Sequence, residues 1–256
     1  MDASELYDPE FRELIKEKNP TIIIPVGSLE QHGAHLPITT DSDIVTEIAS
    51  RLAKKCGFVV FPTICYGVSS EHDPLFNLSV TSKHLLLTIL ELYSSIVKNH
   101  IGSVILLNGH HGNVETLDGF IKLCNPVIGE TKSELRVMED QNSKKRGTYW
   151  SGNADVRVYS YWQHMKHEFD HAGFVETSLM LAISDKVKMK KAKKGLITKG
   201  MSEKEIQRIN ELSTQQGGFP QVAKNGVWGD PTKATKKDGE KFLAEIVRNL
   251  AKECQS

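Results

Sequence analysis

The stretch Thr21-Ile22-Ile23-Ile24-Pro25-Val26-Gly27-Ser28-Leu29-Glu30-Gln31-His32-Gly33-Ala34-His35-Leu36-Pro37-Ile38-Thr39-Thr40-Asp41 decides how the chain is read. Its opening, Thr21–Val26, is a continuous apolar and β-branched run, the composition of a strand covered on both faces. A glycine- and proline-containing turn follows, carrying Glu30, His32, His35 and Asp41, all able to bind a divalent metal. Glu30 and His32 stand two apart, so in extended chain they face one side and reach one centre or two adjacent centres. Asp41 returns from the far end of the turn, and its two oxygens let it serve two cations. The turn reads as half of a metal site. His35 is set aside as a supporting residue.

Outward from this stretch the chain alternates. Pro9–Lys18 has the pattern of a helix. Asp41 or Ser42 is placed to cap a helix running to about Cys56, with Ile44, Val45, Ile48, Ala49 and Leu52 on one face. Phe58–Pro62 is a second short strand, emptying into the Cys65–Leu78 loop, and Ser82–Asn99 has helical periodicity. Ser103–Leu107 is a third buried strand, ending in Asn108-Gly109-His110-His111-Gly112-Asn113, and Val114–Cys124 is helical. Glu134–Trp150 is polar without a clear pattern, and Val156–Trp162 alternates like a strand. Later come a helix over Thr177–Ile183, a lysine-rich surface loop at Lys186–Lys199, a helix at Ser202–Leu212, a glycine-rich loop at Gly217–Pro231 and a closing helix at Lys237–Lys252. Short apolar strands alternating with helices predict an α/β fold, a three-layer α/β/α sandwich with a mostly parallel central sheet. In such sheets ligands lie outside the carboxyl ends of the strands, where both histidine-rich turns fall.

The 256 residues suit a single domain spanning 1–256, and no linker interrupts them. Thirty-two basic and 32 acidic residues balance to zero, which argues against nucleic acid or a membrane surface as the main partner. There is no signal-peptide pattern and no apolar run long enough to span a bilayer, so the expected compartment is the cytoplasm. The four cysteines are scattered, without a CxxC pair, and fit reduced thiols. Any metal site must therefore use imidazole and carboxylate, a donor set that suits zinc or manganese and accommodates ferrous iron. His110, at the end of another strand, supplies a further imidazole. His171 and Glu176 form a third cluster: Glu176 opens a helix, where a carboxylate serves as a dipole partner or as a ligand, and His171 can move protons near neutral pH.

Four motifs together resemble the creatininase (creatinine amidohydrolase) family. They are the Gly27–Asp41 turn, Tyr66-Gly67-Val68-Ser69-Ser70-Glu71-His72, Asn108-Gly109-His110-His111-Gly112-Asn113, and His171-Ala172-Gly173-Phe174-Val175-Glu176-Thr177-Ser178. A weaker echo lies at Gly229-Asp230-Pro231 and Gly239-Glu240, so the resemblance spans about Thr21–Glu240. It implies hydrolysis of non-peptide C–N bonds (amide, cyclic amide or formamide) in a small molecule. The nucleophile would be a hydroxide bridging two divalent ions. By the same resemblance Glu30, Asp41 and His110 hold one ion, His32 and Asp41 hold the second, and His171 passes the proton. Creatininase itself carries a glutamate two residues after the histidine matching His110. Gly112 stands there in this chain, and Glu176 is the candidate to make up the missing carboxylate. Glu71, His72 and His111 are expected to shape the substrate pocket. The resemblance also implies a homo-oligomer, in the family a ring-like hexamer. Rival readings are a formamide hydrolase of flavin or deazaflavin synthesis, a family peptidase acting on a modified peptide, and a non-catalytic metal-binding protein.

Overall fold

A computed structural model describes residues 1–124 and 154–255; Glu134–Trp150 lies outside them. Strand β1 (Ile22–Val26) is buried along its whole length, as its unbroken apolar run requires. It pairs in parallel with β2 (Val59–Val60) on one side and β3 (Ser103–Asn108) on the other. Strand β4 (Asp155–Ser160) pairs in parallel with β3, giving the order β2-β1-β3-β4 among the described residues. Successive side chains point to opposite faces, and the strands use this. Ile22, Ile24, Val26, Val104 and Leu106 enter one core with α1 (Asp8–Lys18), α3 (Ser82–Lys98) and α4 (Val114–Cys124). Ile23, Ile105 and Leu107 enter the other with α2 (Thr40–Cys56), α5 (Phe174–Ile183) and α8 (Lys236–Cys254). A parallel sheet covered on both sides by helices is the α/β/α sandwich that the alternation predicted. Two further helices, α6 (Glu203–Ser213) and the short α7 (Phe219–Val222), lie between α5 and α8 in sequence.

Several boundaries differ from the sequence reading. Helix α2 is capped by neither Asp41 nor Ser42: Thr39 stands at its N-cap without a side-chain bond to the helix backbone, its hydroxyl donating instead to Asp43 Oδ2 at 2.8 Å. The Ser42 hydroxyl instead donates to the Ser28 carbonyl at 3.0 Å, and the Asp41 carboxylate turns away from the helix towards two histidines. Phe58–Pro62 yields only two strand residues, because β2 is an edge of the sheet. The strand expected over Val156–Trp162 ends at Ser160, and Tyr161–His164 coils into a 3-10 turn that buries the Tyr161 ring. Helix α5 begins at Phe174, earlier than the sequence suggested, which puts Glu176 inside its first turn. Among the described residues no helix is long and apolar enough to cross a membrane.

Candidate metal centre

The exits of β1 and β3 lie side by side, because Val26 and Asn108 are register partners. Asn113 ties three segments together there. Its amide donates to the Gly27 carbonyl at 3.0 Å and its side-chain oxygen accepts from the Val68 N–H at 2.9 Å. The β1 turn is pinned by backbone bonds from Glu30 N to Ile38 O at 3.0 Å and from Gln31 N to Phe76 O at 2.8 Å. Gly33, at φ +62°, lets the chain reverse between His32 and His35 where a side chain would be strained and would meet Val227.

These constraints bring Glu30, Asp41 and His110 together, with one donor atom from each lying within 4.8 Å of the others. His32, Asp41 and Glu176 form a second such group, and Asp41 belongs to both. Asp41 Oδ1 is 3.1 Å from His32 Nε2, and Asp41 Oδ2 is 3.1 Å from His110 Nδ1. Glu176 Oε2 is 3.6 Å from His32 Nε2, and Glu30 Oε2 is 3.4 Å from His110 Nε2. Each ring also meets a backbone carbonyl: His32 Nδ1 lies 3.2 Å from Glu30 O, and His110 Nε2, the nitrogen that Glu30 approaches, lies 2.7 Å from Val68 O, leaving Nδ1 towards Asp41. A ring that donates to a carbonyl on one side presents a lone pair on the other, the arrangement a metal ligand needs.

The carboxylates fit a cation as well. Glu30 Oε1, Asp41 Oδ2 and Glu176 Oε1 are buried and accept no well-directed hydrogen bond. Imidazole nitrogens approach Glu30 Oε1 to 2.9 Å and Asp41 Oδ2 to 3.1 Å, close but misaligned for hydrogen bonding. Buried carboxylate oxygens cost several kcal/mol when unpaired, so crowding of this kind points to a shared positive charge. Without an ion, protons supply it. Burial opposes a charge on His32, but Asp41, Glu176 and Glu30 outweigh it and raise its pKa to about 10. Burial likewise opposes a charge on His110, and Glu30 and Asp41 raise its pKa well above the ordinary value. Burial raises Glu176 to about 8 against the His32 charge. Asp41 is held far below the carboxylate range, its burial outweighed by His32 and His110.

Helix α5 delivers Glu176 by its own local design. Asp170 Oδ2 accepts from Val175 N at 2.9 Å and Oδ1 from Glu176 N at 3.3 Å, fixing the first turn, while Ala172 N donates to Glu176 Oε2 at 2.6 Å. Burial lifts Asp170 to about 6. The glycine-rich loop holds His171: its N–H donates to Trp228 O at 3.1 Å and its carbonyl accepts from Trp228 N at 2.8 Å. His171 Nε2 lies 3.1 Å from both the carboxamide nitrogen and the carbonyl oxygen of Gln31, and Nδ1 lies 3.9 Å from Glu30 Oε1. Burial and the neighbouring histidines keep His171 well below the ordinary imidazole pKa.

The residues expected to line a pocket fall in different places. His72 is buried, with Nε2 2.9 Å from Glu30 Oε1 and Nδ1 3.0 Å from the Gln31 amide, so it braces Glu30. Glu71 lies nearer solvent. His111 stands outside the ligand groups, its ring facing Trp162 and Phe169 at centroid distances of 6.1 and 6.4 Å. His35 also stands apart, buried and bonded to Thr177 Oγ1 at 2.9 Å. Gln31, Ser28, Asn113 and Asp170 are the supporting residues that sequence reasoning passed over. Gln31 and Ser28 were inside the quoted turn, but nothing in their spacing marked them.

Residues 4–254 match the family model for creatinine amidohydrolase. The chain belongs to the creatininase family. Membership makes it a metal-dependent amidohydrolase, the enzyme class that the motifs implied. Relatives include a mycofactocin precursor peptide peptidase of Mycobacterium ulcerans, 31% identical over 240 residues, covering 89% of this chain and 82% of that protein. The creatinine amidohydrolase of Pseudomonas putida is 27% identical over 207 residues, 71% of each. A creatininase structure of Zn-Zn type shares the fold at a TM-score of 0.73 and 22% identity, covering 98% of this chain and 96% of that one.

Proposed function

We propose that the protein hydrolyses a C–N amide bond at a centre of two divalent ions, zinc or manganese, with Asp41 shared between them. The observation that carries this is that Asp41 belongs to both ligand groups, with Oδ1 beside His32 and Oδ2 beside His110. Glu30 and His110 complete one set, His32 and Glu176 the other. When bound, such ions acidify water and polarise a carbonyl. The chain's own residues do the rest. Ser28 Oγ donates to Glu30 Oε2 at 3.0 Å and His72 braces the other oxygen, so Glu30 is held ready to ligate. His171, part-buried beside Glu30 and His32, is the group that carries a proton to the leaving nitrogen. Gln31 offers its Nε2 an acceptor and a donor at the same distance, so the ring keeps a partner whether that nitrogen is protonated or bare.

The substrate is a small amide, cyclic amide or formamide. A second reading, cleavage of a modified peptide, is favoured by the relatives named as precursor-peptide peptidases, which cover more of the chain than creatinine amidohydrolase does. The four cysteines are unpaired, which suits a cytoplasmic enzyme. The same proposal includes one domain over 1–256 and a homo-oligomer, with a hexamer expected by light scattering. The deciding experiment is elemental analysis of the purified protein, then turnover of cyclic amides, formamides and short peptides with each metal restored. Two equivalents of metal and metal-dependent release of an amine or acid support the reading. A protein that holds no divalent ion, or that holds two and cleaves none of these substrates, overturns it.

A further inference from the structure

Gly112 leaves room for something else. An ideal Cβ there would collide with the Val68 carbonyl oxygen, and would lie 2.5 Å from His110 Nε2 and 2.7 Å from Glu71 Oε1. The place that a side chain at 112 would take is thus occupied from the loop after β2. Val68 O holds the His110 ring, and the Glu71 carboxylate lies 3.5 Å from His110 Nε2. Glu176, the residue the sequence offered to make up a carboxylate at this point, sits with His32 and Asp41 instead. Glu71, Glu30 and His72 present donor atoms within 4.8 Å of one another. Glu30 is fully buried in that group, and its Oε1 accepts no well-directed hydrogen bond. Glu71 differs from the other carboxylates of the centre in exposure. Its side chain keeps 13% of its surface open, against 0–3% for Glu30, Asp41 and Glu176.

We propose that Glu71 is a metal ligand on the open side of the centre, serving the Glu30-side ion from the place a residue-112 side chain would otherwise fill. The inference rests on the two-metal reading and adds to it. An ionised carboxylate at the mouth keeps that ion's outer face anionic until substrate arrives, and can yield its position to a substrate oxygen. Gly112 and Glu71 are then one unit: the small residue is what admits the distant carboxylate.

The test loads the full-length protein with cobalt(II) and follows both the d–d spectrum and the affinity by chelator competition. The Glu71→Gln variant keeps shape and loses the charge. The expected result is one of two ions bound at least about tenfold more weakly, with a changed cobalt band and an unchanged far-UV spectrum. Glu71→Asp, which shortens the reach, is expected to shift the same band with a smaller loss. Should Glu71→Gln bind two ions with wild-type affinity, or more weakly but with an unaltered cobalt spectrum, Glu71 is not a ligand and the inference falls while the two-metal reading stands. A wild-type protein that binds no cobalt at all overturns that reading, and this inference with it.

Discussion

The two halves of the proposed centre share Asp41 and are built by different physics. Glu30 and His110 leave the ends of adjacent parallel strands, so the register of β1 against β3, with Val26 opposite Asn108, fixes their separation. Glu176 comes from α5, which is seated over the site by Val175, Leu179 and Met180 packing into the core shared with α2 and α8. One half is positioned by a hydrogen-bond ladder, the other by side-chain packing. Core packing tolerates lost methylenes poorly, so the second half should be the more sensitive to distant mutations.

Asp41→Ala removes the element common to both halves. Both ions should be lost by elemental analysis, with turnover falling to background; retention of even one full equivalent would show that the halves are independent. His171→Ala removes no member of either ligand set, although its ring lies against His32 and near Glu30. Both ions should stay while kcat falls by about 10²–10⁴, and an unchanged kcat in the metal-loaded variant would remove His171 from the reaction. Leu179→Ala separates the halves. This side chain is fully buried in α5, so the variant should lose about 2–5 kcal/mol of stability by denaturant titration. It should also weaken one ion more than the other, and equal weakening of both would erase the distinction between ladder and packing.

The smallest effect is graded by pH. His32 in the metal-free protein titrates near 10 rather than 6.5, so its charged form stabilises the fold at low pH and that contribution fades as pH climbs towards 10. Glu176 is raised from 4.5 to about 8, so the fold holds its proton more tightly than the unfolded chain does, and stability is lost as pH rises through that range. Both shifts act in the same direction. Metal displaces both protons, so the gap in Tm between loaded and metal-free protein should widen from about pH 6 to 9, with protons released on binding. A gap that narrows over that range would place the protons elsewhere.

The first half of the candidate centre is legible in the sequence because its candidate ligands sit in short motifs directly after apolar runs, and a strand exit fixes direction. Helix lengths followed from periodicity in the same way: α4 was bounded at Val114 and Cys124 from the pattern alone. Capping is not legible locally, since Asp41 and Ser42 both have residue types that cap helices and only their neighbours divert them to other partners. Glu71 and His72 adjoin in one motif, but the fold parts their roles: it turns His72 inwards on Glu30 and leaves Glu71 nearer solvent.

The sequence by itself determined the layered α/β architecture, the two histidine-bearing strand exits and the chemistry of the donors, because periodicity and residue type act locally. Tertiary structure alone decided which donors share a centre. It sorted Glu176 to His32 and brought Glu71 to the gap above Gly112, because those distances depend on how helices and loops far apart in the chain pack over one sheet.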